Sequence, residues 1–240
     1  MCKMSNGFIE PRLEDIKFLW AKGYYIWLED KSTEYDGKLS ISVVEEGKTL
    51  FCLPLSYGEG AYSGGTLAVS LSWKYLLHSY WTGIMMSGFA LFKIDNLPDG
   101  LELIYAPEPA DGYISFYCLS KDERLLVQVI NRCGCWREMW EDGEFDEDDE
   151  GNDCFAFGDI FVHNIAEKTF TKHELLVYPS EKWLEENPWK QEDSAYSEDP
   201  DPPINPRLNG DILTMTMPWG DETLTLPLEG AVKIKVGVQP

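Results

Sequence analysis

Between Glu141 and Asp153 the chain reads EDGEFDEDDEGND, nine carboxylates in thirteen residues. Such a run serves one of three ends: ligating a hard cation, attracting a basic protein, or solvating a loop. The cation test is positional. Asp146, Asp148 and Glu150 alternate and Gly151 stands sixth, as at the start of an EF-hand loop. The twelfth position should carry a bidentate glutamate and carries Phe157. The spacing therefore favours a charged loop over a calcium site, and no metal is expected. Just upstream, Trp136 and Trp140 stand four apart in CWREMW. On a helix both would face one side. Aromatics rimmed by carboxylates have the composition of a protein-interface hot spot. The candidate partner-binding residues are Trp136, Trp140, Glu141, Asp142, Glu144, Asp146, Asp148, Asp149 and Glu150. The competing reading packs both tryptophans onto their own sheet and leaves the carboxylates as a solvated tip.

Other chemistry-bearing residues give weaker patterns. Cys133 and Cys135 in CGCW are one residue apart, closer than the spacing inside a structural zinc pair. Cys154 and His163 would complete four ligands only if the loop folds back. Two reduced cysteines, or a reversible disulfide across the loop, are simpler readings. His78, His163 and His173 have no accompanying nucleophile motif; G-x-S-x-G, H-E-x-x-H and the phosphate loop are all missing. No catalytic residue and no cofactor are assigned. Paired carboxylates for glycoside hydrolysis stay open, but among 42 acids no pair stands out.

Charge bounds the partners. The 240 residues carry 42 Asp and Glu against 20 Lys and Arg, a formal charge of −22. That field repels nucleic acid and anionic membranes, because phosphate binding needs cations to displace counterions. It would steer a basic protein toward this one. The first residues lack an apolar run of signal-peptide length, and nothing approaches the roughly 20 apolar residues of a membrane helix. A cytoplasmic protein with six reduced cysteines is expected. Cys52 and Cys118, in apolar strand patterns, read as core thiols.

The elements that must position these residues read as β. One short N-terminal helix is expected over RLEDIKFLWAKG, where Leu13, Ile16, Leu19 and Trp20 share a face and Gly23 terminates it. Strands follow at 24–30, 38–44 and 48–55, with Asp36-Gly37 and Glu46-Gly47 as tight turns. YGEGAYSGG (57–65) reads as a glycine-rich loop without the lysine of a phosphate loop. Ser180 caps a helix over EKWLEEN, and 189–209 is an irregular Pro/Asp-rich segment. Strands at 211–217, 222–227 and 231–238 close the chain, with Gly220-Asp221 and Glu229-Gly230 as turns.

Two stretches resemble each other, 65–107 and 112–179, each of four strands. Leu76-Leu77 recurs as Leu125-Leu126 after a turn holding Ser72 or Ser120. GFALFKIDN matches GDIFVHNIAE, and LELIYAP matches HELLVYP. The pattern resembles a β-propeller blade of the WD-repeat type. Ile94-Asp95 and His163-Asn164 stand where that family's Trp-Asp pair would be. The resemblance implies four-stranded antiparallel meanders and a scaffold role. The expected fold is all-β in a single domain over 1–240: a small or degenerate propeller, or stacked sheets or a sandwich. An acidic insertion at 131–156 separates two strands of the second unit, where the first uses only TGIMMSG.

The function expected is an acidic protein-interaction module for a basic protein, such as an immunity protein neutralising a nuclease-like toxin. The alternatives are a carbohydrate-binding protein or glycoside hydrolase, and a propeller-like scaffold.

Overall fold

The computed structural model describes residues 2–5, 8–11, 18–30, 39–55, 62–82, 86–112, 114–131, 146–178, 206–217 and 220–237. These form strands and no helix. In chain order, β1 (Cys2–Ser5) and β2 (Phe8–Pro11) pair, and β2 joins β7 of the second sheet. The first sheet is the meander β3 (Phe18–Ala21), β4 (Tyr24–Asp30), β5 (Leu39–Glu45) and β6 (Lys48–Pro54). The second is β7 (Tyr62–Ser70), β8 (Tyr75–Thr82), β9 (Met86–Lys93) and β10 (Glu102–Tyr105), with β11 (Ala110–Asp111) beside β9. The third is β12 (Ile114–Leu119), β13 (Leu125–Asn131), β15 (Asp153–Asn164) and β16 (Thr169–Val177), with β14 (Asp146–Glu147) on β15. A fourth comprises β17 (Arg207–Asn209), β18 (Ile212–Met217) and β19 (Gly220–Thr225). The last strand, β20 (Lys233–Val236), returns to the third sheet and pairs in parallel with β16.

Strand alternation decides which face each sheet buries. In β4, Ile26 and Leu28 are buried while Tyr25 and Trp27 are exposed. Ile41 and Val43 of β5 join the buried side. Ile26, Leu28, Ile41 and Val43 pack on Leu67, Val69, Leu76, Ala90 and Phe92 of the second sheet. The other face of that sheet presents Ala68, Leu77, Phe89 and Leu91, with Phe8, to Leu119, Leu126 and Ile165 of the third unit. The far face of the third sheet meets Leu213, Met215 and Leu226 of the fourth. The described sheets are therefore stacked in chain order, and the two inner ones bury both faces. That is why GFALF reads as a continuous apolar run: all of β9 except its two ends is buried.

Turns set the registers. Glu46 and Gly47 both have positive φ (48° and 79°), the two-residue turn that matches strand twist. In the second sheet Ser70 Oγ accepts from the Lys74 and Tyr75 amides, and Trp73 takes positive φ (61°). In the third, Ser120 Oγ accepts from the Leu125 amide, and Glu123 takes positive φ (57°). The turn amides of Trp73 and Glu123 donate to the Ser70 and Ser120 carbonyls, at 2.9 and 2.8 Å. The two turns thus share one hydrogen-bond plan.

Several expectations change. Phe18–Ala21 is a strand, not the end of a helix; Arg12–Lys17 lie outside the described residues. Lys22 and Gly23 both have positive φ (50° and 88°), so they form a hairpin turn that pairs Phe18 with Trp27. Tyr62–Gly65 belong to β7 rather than to a loop. Gly220 and Asp221 already lie in β19. The turn serines align Leu76 with Leu126, and Ile94 with Ile165, whose amides donate to Lys74 and Arg124 carbonyls. That is one residue off the Leu76–Leu125 match, and it leaves His163-Asn164 out of step with Ile94-Asp95. Cys118 is buried as expected, but Cys52 is exposed, because its side of β6 is the outer face, opposite Ser42. Asp36-Gly37 and the 181–187 helix lie outside the described residues.

Candidate functional site

The acidic insertion ends in a hairpin. β14 pairs with the start of β15, Asp146 opposite Cys154 and Glu147 opposite Asp153. The residues DDEGN between them are turn formers, each for its own reason. Gly151 takes φ +80°, a conformation costly for a side-chain-bearing residue. Its amide donates to the Asp148 carbonyl, and the Asp148 amide donates to the Asn152 carbonyl, both at 3.0 Å. The Asp148 carboxylate turns inward and accepts from the amides of Glu150 and Asn152, both at 2.9 Å. Asn152 Nδ2 adds two contacts, at 3.1 and 3.2 Å.

Two distant strands complete this hub. Tyr178 Oη, just past β16, donates to Asp148 Oδ2 at 2.7 Å. Lys235 of β20 donates to the same oxygen at 2.9 Å and reaches Glu150 Oε1 at 3.0 Å. Lys233, two residues earlier on the same side of β20, pairs with Asp149 at 3.0 Å. The Asn152 amide, then the Lys235 ammonium and the Tyr178 hydroxyl, hold the Asp148 carboxyl far below the usual carboxylate range. Burial, then the Asp148 carboxylate, pushes the Tyr178 phenol up. Asp148 and then Glu150 push the Lys235 ammonium up.

The candidate partner-binding residues therefore divide. The side chain of Asp148 is 1% exposed and committed to internal donors, so it organises the tip and presents nothing to a partner. Asp149 and Glu150 project, with side chains 83% and 70% exposed. Asp146 is exposed too, and its Oδ2 accepts from the Ala156 amide at 3.0 Å. Trp136, Trp140, Glu141, Asp142 and Glu144 lie outside the described residues. Residues 146–153 carry six carboxylates, and Lys233 and Lys235 pair with three of them, so the tip keeps a net negative charge. Sequence reasoning missed Lys233, Lys235, Asn152 and Tyr178. The alternation in VKIKV was the available signal: it puts both lysines on one face and buries Ile234 and Val236 on the other.

The other candidate groups are structural or are held apart. His163 and Cys154 are nine residues apart on the same strand, roughly 30 Å at strand rise, and cannot share an ion. The His163 ring is buried where the second and third sheets meet. Its Nε2–H donates to Gln128 Oε1, and Tyr105 Oη–H donates to its Nδ1, both at 3.2 Å. Tyr117 Oη–H then donates to the Gly88 carbonyl at 3.0 Å, which ties the two sheets together. Burial lowers the His163 pKa to about 3. His78 is buried and stacks on Tyr80, and burial also lowers the pKa of His173. Asp159 and Glu174 stand directly opposite on β15 and β16. Lys172 pairs with Asp159 at 3.0 Å, and Lys233 stands opposite Glu174 on β20. A lysine beside each acid offsets the repulsion of the two opposed carboxylates. Burial pushes the Cys118 thiol up to about 12, and its Sγ–H donates to the Pro206 carbonyl at 3.1 Å.

On the first sheet, Tyr25 and Trp27 are 43% and 49% exposed on the outer face of β4. Ser42 stands opposite Trp27. No described helix is long and apolar enough to cross a membrane. No protein-family model matches the chain, and no curated protein is significantly similar to it.

Proposed function

We propose that this protein is an acidic protein-interaction module that binds a basic protein through the tip of its insertion. An immunity-type inhibitor of a basic, nuclease-like toxin is the specific form of this reading, and its setting is the cytoplasm. One observation carries it: Asp149 and Glu150 project from a hairpin fastened at its base by the Asp148 hub. A fixed array of charges loses less entropy on binding than a floppy loop. The overall charge of −22 adds long-range steering.

The test is affinity capture from the source cell with wild-type protein and with the variant Asp146→Asn/Asp149→Asn/Glu150→Gln. The reading predicts a captured protein that is basic, that is released at about 0.5 M salt, where screening is strong, and that the variant fails to hold. A captured set of no particular charge, equally retained by the variant, would sink it.

A second reading has its own support. Tyr25 and Trp27, both exposed on one face of β4, have the composition of a sugar-stacking platform. Glycan-array binding that disappears in Trp27→Ala, and survives in the tip variant, would favour a carbohydrate-binding protein.

A further inference from the structure

We propose that segment 226–232, which links β19 to β20, is an acid-released strap: protonation of His173 beneath it frees the segment and uncovers the apolar seam between the third and fourth sheets. The device is independent of what the acidic tip binds.

His173 lies on β16 opposite Ile160, so it belongs to the face that the fourth sheet covers. It is 0% exposed, and neither ring nitrogen has a hydrogen-bond partner of good geometry. Such a ring is stable only as the neutral imidazole, because an imidazolium needs an acceptor or water at each nitrogen. Its surroundings supply no counter-charge. Ile160, Thr171, Leu175 and Ile234 share that face, and Met215 and Leu226 pack on it. The titratable group on the same face of the third sheet is Cys118, three strands away, its thiol pushed up to about 12. Lys172, Glu174, Asp159 and Lys233 belong to the opposite face. Glu222 stands opposite Met215 in the β19 ladder, roughly 16 Å from Pro227 at strand rise. Asp211, whose carbonyl accepts from the Leu226 amide, and Glu229 in the segment itself are exposed. The Pro227 carbonyl favours the imidazolium, but burial outweighs it and lowers the pKa from the ordinary 6.5.

The cover over this ring is thin. Residues 228–233 are exposed, Leu228 and Val232 at 51% and 44%. The tethers to β16 flank His173 on its own strand. Thr171 Oγ1 donates to the Leu228 carbonyl at 3.4 Å, and the Glu174 amide donates to the Val232 carbonyl at 3.1 Å. At the start of the segment the Leu226 amide donates to the Asp211 carbonyl at 2.7 Å. Breaking these few bonds lets water reach the ring while the β16–β20 and β18–β19 ladders persist, so opening is local. With the segment open, His173 recovers a value of about 6.5. The closed form is therefore fully favoured above that pH. It loses up to about tenfold per pH unit as pH falls toward the closed-state value. Opening exposes Ile160 and Leu226, which are 0% and 2% exposed when it is closed.

Amide hydrogen exchange of the full chain, read by nuclear magnetic resonance and corrected for the intrinsic rate, tests this between about pH 7.5 and 4.5. The Leu226 and Glu174 amides report the segment, and the β8–β9 ladder reports the fold as a whole. In wild type, protection of the first two should fall by up to about tenfold per pH unit below 6.5, while the ladder keeps its own. The imidazole shifts of His173 should titrate below 6.5. His173→Leu suits the apolar surroundings and cannot be protonated, so it should flatten the pH dependence at Leu226 and Glu174. His173→Gln, polar and non-titrating, should do the same. A fall equally steep in the variants would overturn the proposal. So would a wild type in which segment and ladder lose protection together or not at all, or a His173 that titrates at 6.5 or above. The wild-type measurements decide the matter even if neither variant folds.

Discussion

Acid should separate wild type from a His163 variant in a specific way. His163 sits 1% exposed between Phe89, Phe161 and Phe170, with Tyr105 and Gln128 at its ring nitrogens. Those facing groups carry no negative charge, so burial disfavours the imidazolium and lowers the pKa from 6.5 to about 3. The unfolded chain binds this proton more readily than the folded one. The contribution to stability is therefore complete above about pH 6.5 and is lost as pH falls toward 3. Each pH unit inside that window costs up to about 1.4 kcal/mol. Between pH 7 and pH 4 the loss is about 3 kcal/mol. His163→Gln keeps a polar side chain but does not titrate. It should be less stable than wild type by about 1–3 kcal/mol at pH 7, from poorer packing and hydrogen bonding. Its carboxylates are those of wild type, so their acid response cancels in the difference. Urea unfolding of both proteins at pH 7, 6, 5 and 4 reads that difference directly. By pH 4 wild type should have lost about 3 kcal/mol relative to the variant, so the gap closes or reverses sign. A gap that stays constant across the series would refute the assignment of a buried neutral imidazole at this sheet junction.

The remaining expectations concern packing and thiol access. A Cβ on Gly88 would lie 2.7 Å from the Tyr80 ring, which is itself buried, so Gly88→Ala should cost about 1–3 kcal/mol by overpacking. Gly100→Ala, with nothing within 4 Å of the added carbon, should be nearly neutral in the same denaturant titration. Iodoacetamide on the native protein, read by peptide mass spectrometry, should modify exposed Cys52 before buried Cys118 and Cys154. The same order after full denaturation would show that exposure does not set it.

Local patterns carried the strands, and contacts between distant segments did not show in them. Alternation and the Glu46-Gly47 pair place β4 to β6 within a residue or two of their observed bounds. The helical period of Leu13, Ile16, Leu19 and Trp20 does not hold at Phe18–Ala21, which is a strand. What decides against it is the backbone at Lys22 and Gly23, where positive φ closes a hairpin instead of capping a helix. Cys52 has apolar sequence neighbours, yet alternation puts it on the outer face of the first sheet, paired with Ser42. The paired leucines suggest one alignment of the two stretches, and the turn serines Ser70 and Ser120 give another, one residue away. At the tip, the DDEGN turn was legible from residue type. The commitment of Asp148 to Lys235 was not, because that lysine arrives on a parallel strand 87 residues later.

Nuclear magnetic resonance mapping of a lysine-decamer titration tests the central claim most directly. Amide shifts should concentrate at residues 146–153, with little change in the first sheet. Shifts spread evenly over the acidic surface, or centred away from that hairpin, would contradict it.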